Sequence, residues 1–578
     1  MYSLRLLRSG EDPLQDTIKI EFDNFSEKDV HDLKDRYATR TSLPSPSGLR
    51  LYKIDIPPEE FKGTELHLSD EKILVNNKRL EHYWPNGAEP VINVFVTLAG
   101  TEVVPSRTEP NEELTGLQAL ERMQERTIVH IGNKNSSTWA QPSNFATLQE
   151  TPDVGIKNGR PPQRSGLPIG LYHPVFDKFL SRLETTDFSS IPSGTRTEFF
   201  GNLKKLLNAS PALYGKEPGA NGRDISIRGY LSALLGFAMP SVDLNGAKPD
   251  GVVSGSNEAI YMVIEVKNEV GTGGSDPTIQ GAVSYVKQWG SETKRSQRYA
   301  SCCPSFILGI AGPWMCLLGA IMLTQPVVQP LTDFLWVAAS PRSDRQFCRL
   351  AKIFWAMKLS ISDLESYYSS LPPEPATSRF YPYLLQYSVG GQITEFTYVR
   401  ELGDPKSSKT VFQARTIPTH GPAQDIVVKF SETYNGHAHR LLSDLSLAPK
   451  LLFDGSTDME APRPSGRMMI VMEYVEARDL TKLGCPVPES VRSNVKSAIE
   501  VLHAHDIVFG DLRHPNVLAR EDGHGQFTGM LIDFDWCGMH DQSRYPPTMN
   551  TDITWPEGVG GSELMRKEHD VAMLKSLV

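Results

Sequence analysis

Val508-Phe509-Gly510-Asp511-Leu512-Arg513-His514-Pro515-Asn516-Val517-Leu518 and, a little further on, Leu531-Ile532-Asp533-Phe534-Asp535 are the stretches on which the reading of this chain turns. Apolar runs flank a polar turn that holds Asp511 and Asn516, and a second apolar run leads into Asp533. Asp and Asn favour turns and caps in any protein, so each alone says little. Upstream, Asp425-Ile426-Val427-Val428-Lys429-Phe430 reads as a short β-branched strand carrying one lysine. The joint occurrence of the three polar positions with Lys429 argues against a chance set of turn residues.

Together these stretches resemble the catalytic and metal-binding loops of protein kinases. The resemblance implies that Asp511 is the catalytic base and that Asn516 and Asp533 hold Mg²⁺ on the phosphates of ATP. It makes Lys429 the strand lysine that pairs with those phosphates. Met472-Glu473-Tyr474-Val475 resembles a hinge, and His569-Asp570-Val571-Ala572-Met573-Leu574 resembles the start of the αF helix, shortly before the sequence stops at Val578. The expected fold is therefore a protein-kinase-like domain over 386–578 lacking the late C-lobe helices. The departures are specific. Phe509-Gly510 replaces the usual His-Arg, Arg513 stands where Lys is usual, and Asp535 replaces the glycine after Asp533-Phe534. Glu401-Leu402-Gly403 belongs to no complete Gly-x-Gly-x-x-Gly, and His437 and His439 occupy the region where a glutamate partner for Lys429 is expected. An active phosphotransferase acting on a smaller substrate, a nucleotide-binding module and a pseudokinase all stay open.

In the middle of the chain, Lys248-Pro249-Asp250-Gly251-Val252-Val253 and Ala259-Ile260-Tyr261-Met262-Val263-Ile264-Glu265-Val266-Lys267 flank a turn-forming Ser254-Gly255-Ser256-Asn257. Alternation puts Val263, Glu265 and Lys267 on one strand face. A hairpin centred between Ser256 and Asn257 sets Asp250 opposite Val263 and diagonal to Glu265, near enough for both acids to share one Mg²⁺ or Mn²⁺. Such a cation clamps a phosphate and lowers the pKa of a bound water, with Lys267 stabilising the attacked phosphate. A plain hairpin with solvated end charges is the alternative. Pro249-Asp250 followed by Glu265-Val266-Lys267 resembles the PD-(D/E)xK motif of restriction-endonuclease-like proteins, which implies a metal-dependent nuclease domain over 167–345 with DNA as partner. Gln280 and Tyr285 approximate the Gln-x-x-x-Tyr element with one extra residue, and Glu198 and Glu217 compete for the helical acid. Lys287, Trp289, Lys294, Arg295, Arg298 and Tyr299 read either as a nucleic-acid groove or as a solvated helix face.

The remainder bounds these readings. With 578 residues, 39% hydrophobic and 22% charged, the chain has the composition of several globular domains of α+β class. A net charge of −10 excludes bulk coating of nucleic acid. Six cysteines without a Cys-x-x-Cys pair give neither a disulfide framework nor a zinc site. Residues 101–166 are rich in Pro, Ser, Thr, Asn and Glu and read as a largely disordered linker with one possible helix around Leu117 to Arg126, and 346–385 as a helical and Pro-rich connector. The uncharged run Phe306–Leu323 is broken at Gly312-Pro313 and predicts two buried strands, not a membrane span. Met1–Asp16 has no signal-peptide core.

Residues 1–100 predict a ubiquitin-like α+β unit, with strands at 17–22, 49–56 and 91–98 and a helix at 30–40. Leu49-Arg50-Leu51-Tyr52-Lys53-Ile54-Asp55-Ile56-Pro57 and His82-Tyr83-Trp84-Pro85 resemble the ubiquitin-like N-terminal module of Crinkler proteins of oomycetes and fungi. That resemblance implies a modular effector, exported non-classically and acting in a host cell, often in its nucleus. The nuclease is the leading activity on this reading, and a kinase or pseudokinase acting on a host protein is the alternative. Oligomeric state is not legible.

Overall fold

The computed structural model describes residues 2–8, 18–22, 30–40, 49–56, 80, 92–98 and 116–577, apart from 217–220, 244–246, 256–257, 340–342, 373–376, 403–409, 419–420, 459 and 484–485. His82–Pro85, Glu217, the Ser256-Asn257 turn centre, Pro373, Pro375 and Gly403 lie outside the described residues. The chain divides into two units, Met1–Glu113 and Leu114–Val578.

In the first unit, β1 (Tyr2–Arg8), β2 (Ile18–Phe22), α1 (Val30–Arg40), β3 (Leu49–Ile56) and β4 (Ile92–Leu98) follow one another. The sheet order is β2-β1-β4-β3, with β1 and β4 parallel at the centre and antiparallel neighbours outside. Val30, Leu33 and Tyr37 recur at helical spacing and are buried, as are Leu6, Leu51 and Val94 of the sheet. This is a grasp-like arrangement. Its first strand occupies a stretch that sequence analysis considered only as a terminus.

The second unit opens with helices α2 (Gly116–Gly132), α3 (Pro142–Glu150), α4 (Val175–Thr185), α5 (Ser193–Ala209) and α6 (Arg223–Leu235). Strands β5 (Gly251–Ser254) and β6 (Ile260–Lys267), helix α7 (Pro277–Trp289), strands β7 (Ser305–Ala311), β8 (Trp314–Met322), β9 (Pro326–Pro330) and β10 (Leu335–Trp336), and helix α8 (Ser343–Ser369) complete the middle domain. The sheet runs β10-β8-β7-β6-β5, with β9 also on β8. Only β6 and β7 pair in parallel, and α7 is the crossover between them. Every residue of β6 is buried because helices cover both faces. A Cβ on Gly281 of α7 would meet Ile307, and one on Gly319 would meet Phe176 of α4. The uncharged run 306–323 forms β7 and β8 around the Gly312 turn.

Two expectations are corrected here. Residues 116–166 are not a disordered linker: the Gln124 amide donates to the carbonyls of Met322 and Leu323, and Thr127 donates to that of Thr324. Gln124, Thr127, Ile128 and Ile131 form the buried stripe of α2. The possible helix at Leu117 to Arg126 is part of α2, but half of its buried stripe is polar, so hydropathy does not show that it packs into the domain. Nor is 346–369 a connector, since α8 buries Leu350, Phe354, Met357, Ile361 and Leu364 in the middle-domain core.

The C-terminal domain starts with strands β11 (Gln386–Val389), β12 (Gln392–Glu401), β13 (Thr410–Ile417) and β14 (Asp425–Ser431), helix α9 (Gly436–Ser443), and strands β15 (Leu451–Asp454) and β16 (Met468–Glu473). They form an antiparallel sheet of order β11-β12-β13-β14-β16-β15. Ile426, Val428 and Phe430 turn one face of β14 into the same apolar core as the middle domain. Lys429 therefore belongs to the other face, since side chains alternate along a strand. Below lie β17 (Arg478–Asp479), α10 (Glu489–Ala504), β18 (Ile507–Val508), β19 (Val517–Glu521), β20 (Phe527–Leu531), β21 (Gly538–Met539) and α11 (Lys567–Ser576). Val491, Val495, Ile499 and Leu502 of α10 pack with Phe509, Leu531 and Phe534. Among the described residues no helix is long and apolar enough to cross a membrane.

Candidate functional site

Two polar centres lie in the second unit. The first is at the β5–β6 hairpin. Gly251 pairs with Ile264 and Val252 with Val263, so the register brings position 250 level with 265, not diagonal to it. The expected register is off by two because a β-bulge follows Val253 and Glu258 turns the loop at φ +62°. A slip of two preserves the strand faces, and Asp250, just outside the paired residues, lies close enough for its charge to act on Glu265. Gly251 is required by close packing, because a Cβ there would come within 2.7 Å of Arg228.

Asp250 accepts a hydrogen bond from the Val266 amide at 2.7 Å. Glu265 is fully buried, and its two oxygens accept from Gln280 and Ser284, each at 2.6 Å. Burial, reinforced by the nearby charge of Asp250, pushes the Glu265 carboxyl up to about 8. Lys267, also buried, pulls it partly back. Gln280 thus reaches the acid, while the second helical contact comes from Ser284 and not Tyr285. The Tyr285 hydroxyl instead donates to the Cys303 carbonyl inside the core. One turn separates Gln280 from Ser284, a spacing that was available in the sequence.

Two carboxylates beside a lysine suit a hard divalent cation in kind. Of the two candidates for a helical acid, Glu198 is exposed on α5 and Glu217 lies outside the described residues, and among the described residues no three His, Cys, Asp or Glu gather to hold a metal. The basic and aromatic set beyond α7 is neither groove nor solvated face. Arg298 is buried between Trp289 and Glu125, Lys294 donates to the Glu258 carbonyl, and Trp289 is fully enclosed, leaving Arg295 at the surface.

The second centre lies between the C-terminal sheet and the helical half below it. Lys429 is 7% exposed and donates to Asp533 at 2.5 Å and to Asp535 at 2.6 Å. Burial alone would lower the ammonium, but the two carboxylates outweigh it and hold Lys429 above its ordinary value. Asp535 is raised by burial despite the lysine. Asp533 adopts φ +73°, a left-handed conformation that few side chains take. Phe534 is buried, stacked on His439 at 4.5 Å and edge-on to Phe509 at 5.7 Å. His439, whose pKa burial lowers to about 4, also meets the Tyr434 hydroxyl and the Pro449 carbonyl. The helix after the lysine strand therefore contributes an aromatic support and no glutamate.

Asp511 is held on both oxygens by Arg513, and Asn516 Nδ2 donates to its carboxylate and its carbonyl, each at 2.8 Å. Burial raises the Asp511 carboxyl and Arg513 opposes the rise. Asn516 is 1% exposed, and among the described residues its Oδ1 has no hydrogen-bond partner. An orphaned buried amide oxygen costs about 1–3 kcal/mol unless something else meets it. Asp570, fully buried at α11, accepts from the amides of Phe509 and Gly510 at 2.7 and 2.8 Å and from His503 at 3.0 Å. Gly510 sits at φ +81°, where a Cβ would also strike Met565. Sequence reasoning placed Asp570 in its helix without this role, and noted Asp535 and Arg513 only as departures.

No family model matches the chain. A probable serine/threonine-protein kinase of Dictyostelium discoideum is 29% identical over 85 residues, 13% of this chain, and the chain spans only 16% of that relative's length. The solved structure of the Cydia pomonella granulovirus kinase PK-1 aligns at 18% identity with a TM-score of 0.24, over 31% of this chain and 65% of the viral one. The similarity is weak and kinase-like.

Proposed function

We propose that the C-terminal domain binds ATP with Mg²⁺ and transfers the γ-phosphoryl group to a hydroxyl acceptor. One observation carries the reading: Lys429, Asp533 and Asp535 form a buried charged cluster, while Asn516, bonded to Asp511, carries a buried amide oxygen with no partner. Asn516 Oδ1 and Asp533 would hold the cation, and the vacant acceptor on Asn516 fits that use. A cation held there would supply the positive charge that neutralises the phosphates. Lys429 would meet the phosphates. Asp511, whose burial makes it a stronger base than an exposed aspartate, would take the proton as the acceptor oxygen attacks phosphorus and ADP leaves. Arg513 is placed to move from Asp511 onto the transferred group. Asp570 fixes the backbone that aims Asp511.

The test is radiolabel transfer from ATP by the full chain, to itself and to mixed protein or small hydroxyl acceptors. Asp511→Asn and Asp533→Asn should each lower transfer by about 10²–10⁴-fold. Transfer that persists in both variants, or a wild-type chain that does not bind Mg·ATP by calorimetry, overturns the reading.

A second reading concerns the middle domain: a restriction-endonuclease-like centre in which Asp250, Glu265 and Lys267 cut DNA with Mg²⁺ or Mn²⁺. The nearness of Asp250 to Glu265, whose carboxyl its charge helps to raise, supports this reading. The grasp-like strand order of the first unit supports a Crinkler-type N-terminal module, and on this reading the chain is a delivered effector that acts in a host cell.

A further inference from the structure

A lysine that must meet phosphates needs a partner that keeps it extended and charged. Helix α9, the first element after the lysine strand, has the sequence Gly-His-Ala-His-Arg-Leu-Leu-Ser and carries no acid. Its inward residue His439 is committed to Tyr434, Pro449 and Phe534. Asp454, the acid on neighbouring β15, is engaged by Arg440 at 2.5 Å. The carboxylates that do reach Lys429 are those of Asp533 and Asp535.

These two are not equivalent. Asp533 is the residue a cation would claim. Asp535 is tied to the loop that follows β14, because its carbonyl accepts from the Thr433 hydroxyl at 2.9 Å. The same loop is bonded to its neighbours: the Asn435 amide donates to the Phe534 carbonyl at 3.1 Å, and the Asn435 side chain to that of Cys537 at 3.2 Å. Three hydrogen bonds thus join the loop after β14 to residues 534–537, with the Asp535 carboxylate 2.6 Å from the ammonium. A lysine ammonium has three donors. With Asp533 turned to a cation and Asp535 retained, two remain for phosphate oxygens.

We infer that Asp535 is the positioning residue for Lys429, supplying from the segment after Phe534 the counter-charge that helix α9 lacks. The inference rests on the nucleotide-binding reading above and assigns to the acid at 535 a use in it.

Calorimetry of Mg·ATP on the full chain tests it. Asp535→Asn should weaken binding about tenfold, the scale of one charge-assisted contact, and Asp535→Glu should recover most of the loss. Asp535→Ser gives the same neutralisation if the amide variant does not fold. Lys429→Met should weaken binding at least as much, and adding Asp535→Asn to it should cost nothing more. Binding of Mn²⁺ alone, followed by electron paramagnetic resonance, should survive Asp535→Asn and fall in Asp533→Asn. Unchanged Mg·ATP affinity in Asp535→Asn, or a further tenfold loss on top of Lys429→Met, overturns the inference while leaving nucleotide binding intact. A wild-type chain that binds no Mg·ATP overturns the nucleotide reading itself.

Discussion

The two polar centres are built from the same parts, a pair of carboxylates and one lysine at the ends of buried strands, yet they are wired differently. At the hairpin, the fully buried Glu265 is solvated by the neutral donors Gln280 and Ser284, and burial raises its pKa to about 8. In the C-terminal domain, Asp533 and Asp535 both grip Lys429, and an amide oxygen nearby is left over. A carboxylate met by neutral donors in a dry site holds its proton tightly, whereas one met by an ammonium keeps its charge. Glu265 therefore holds its proton more tightly than an ordinary carboxylate, while the second centre sets two acids against one ammonium and has an acceptor, Asn516 Oδ1, to spare.

The largest effect expected is at the hairpin. Should that centre recruit a cation, the full chain nicks plasmid DNA with Mg²⁺ or Mn²⁺, and Asp250→Ala or Glu265→Ala abolishes the cutting without unfolding the domain. An inert wild-type chain, or variants that cut as well as it does, would leave the hairpin as a buried polar cluster and nothing more. Next in size is Asp570→Ala, which strips the acceptors from two buried amides and a histidine. It should cost about 3–5 kcal/mol and lower the thermal transition of the C-terminal domain. Asp570→Asn, retaining one good acceptor, should cost less; equal melting of wild type and both variants would show that the loop before Asp511 is held by other means.

The smallest effect is a pH dependence. With its folded pKa raised from 4.5 to about 8, Glu265 binds its proton more tightly in the native state than in the unfolded chain. Its contribution is complete below about pH 4.5 and is lost as pH rises to about 8, a fall on the order of a few kcal/mol at most. Melting curves of wild type against Glu265→Gln should diverge over that window and run parallel outside it. Added Mg²⁺ should restore stability above pH 7 only if the pair binds the ion. Parallel curves throughout would mean that Glu265 titrates normally.

Much of the local structure was legible. The grasp-like helix α1, strands β5 to β8 and the lysine strand β14 follow directly from apolar runs and turn residues, and the spacing of Asp511, Asn516 and Asp533 drew attention to the loops that the fold brings together. What escaped was polar and long-range. Helix α2 buries Gln124 and Thr127, whose value lies in carbonyls 197–199 residues away, which no window of sequence can weigh. The hairpin register slipped by two because the turn is displaced by one residue and a bulge adds another, neither leaving a mark in composition. The basic residues after α7 looked like a groove because sequence reports charge but not its burial.

The sequence by itself determined the elements that apolar runs and turn residues mark, such as α1, β5 to β8 and β14, since those depend on neighbours a few residues apart. Only the tertiary structure decided that Asp535 meets Lys429 across 106 positions, that Ser284 and not Tyr285 meets Glu265, and that Asp570 holds the loop before Asp511. The physical reason is that a charge's state and use are set by whatever surrounds it in space, and in these two centres most of that surrounding is distant in the chain.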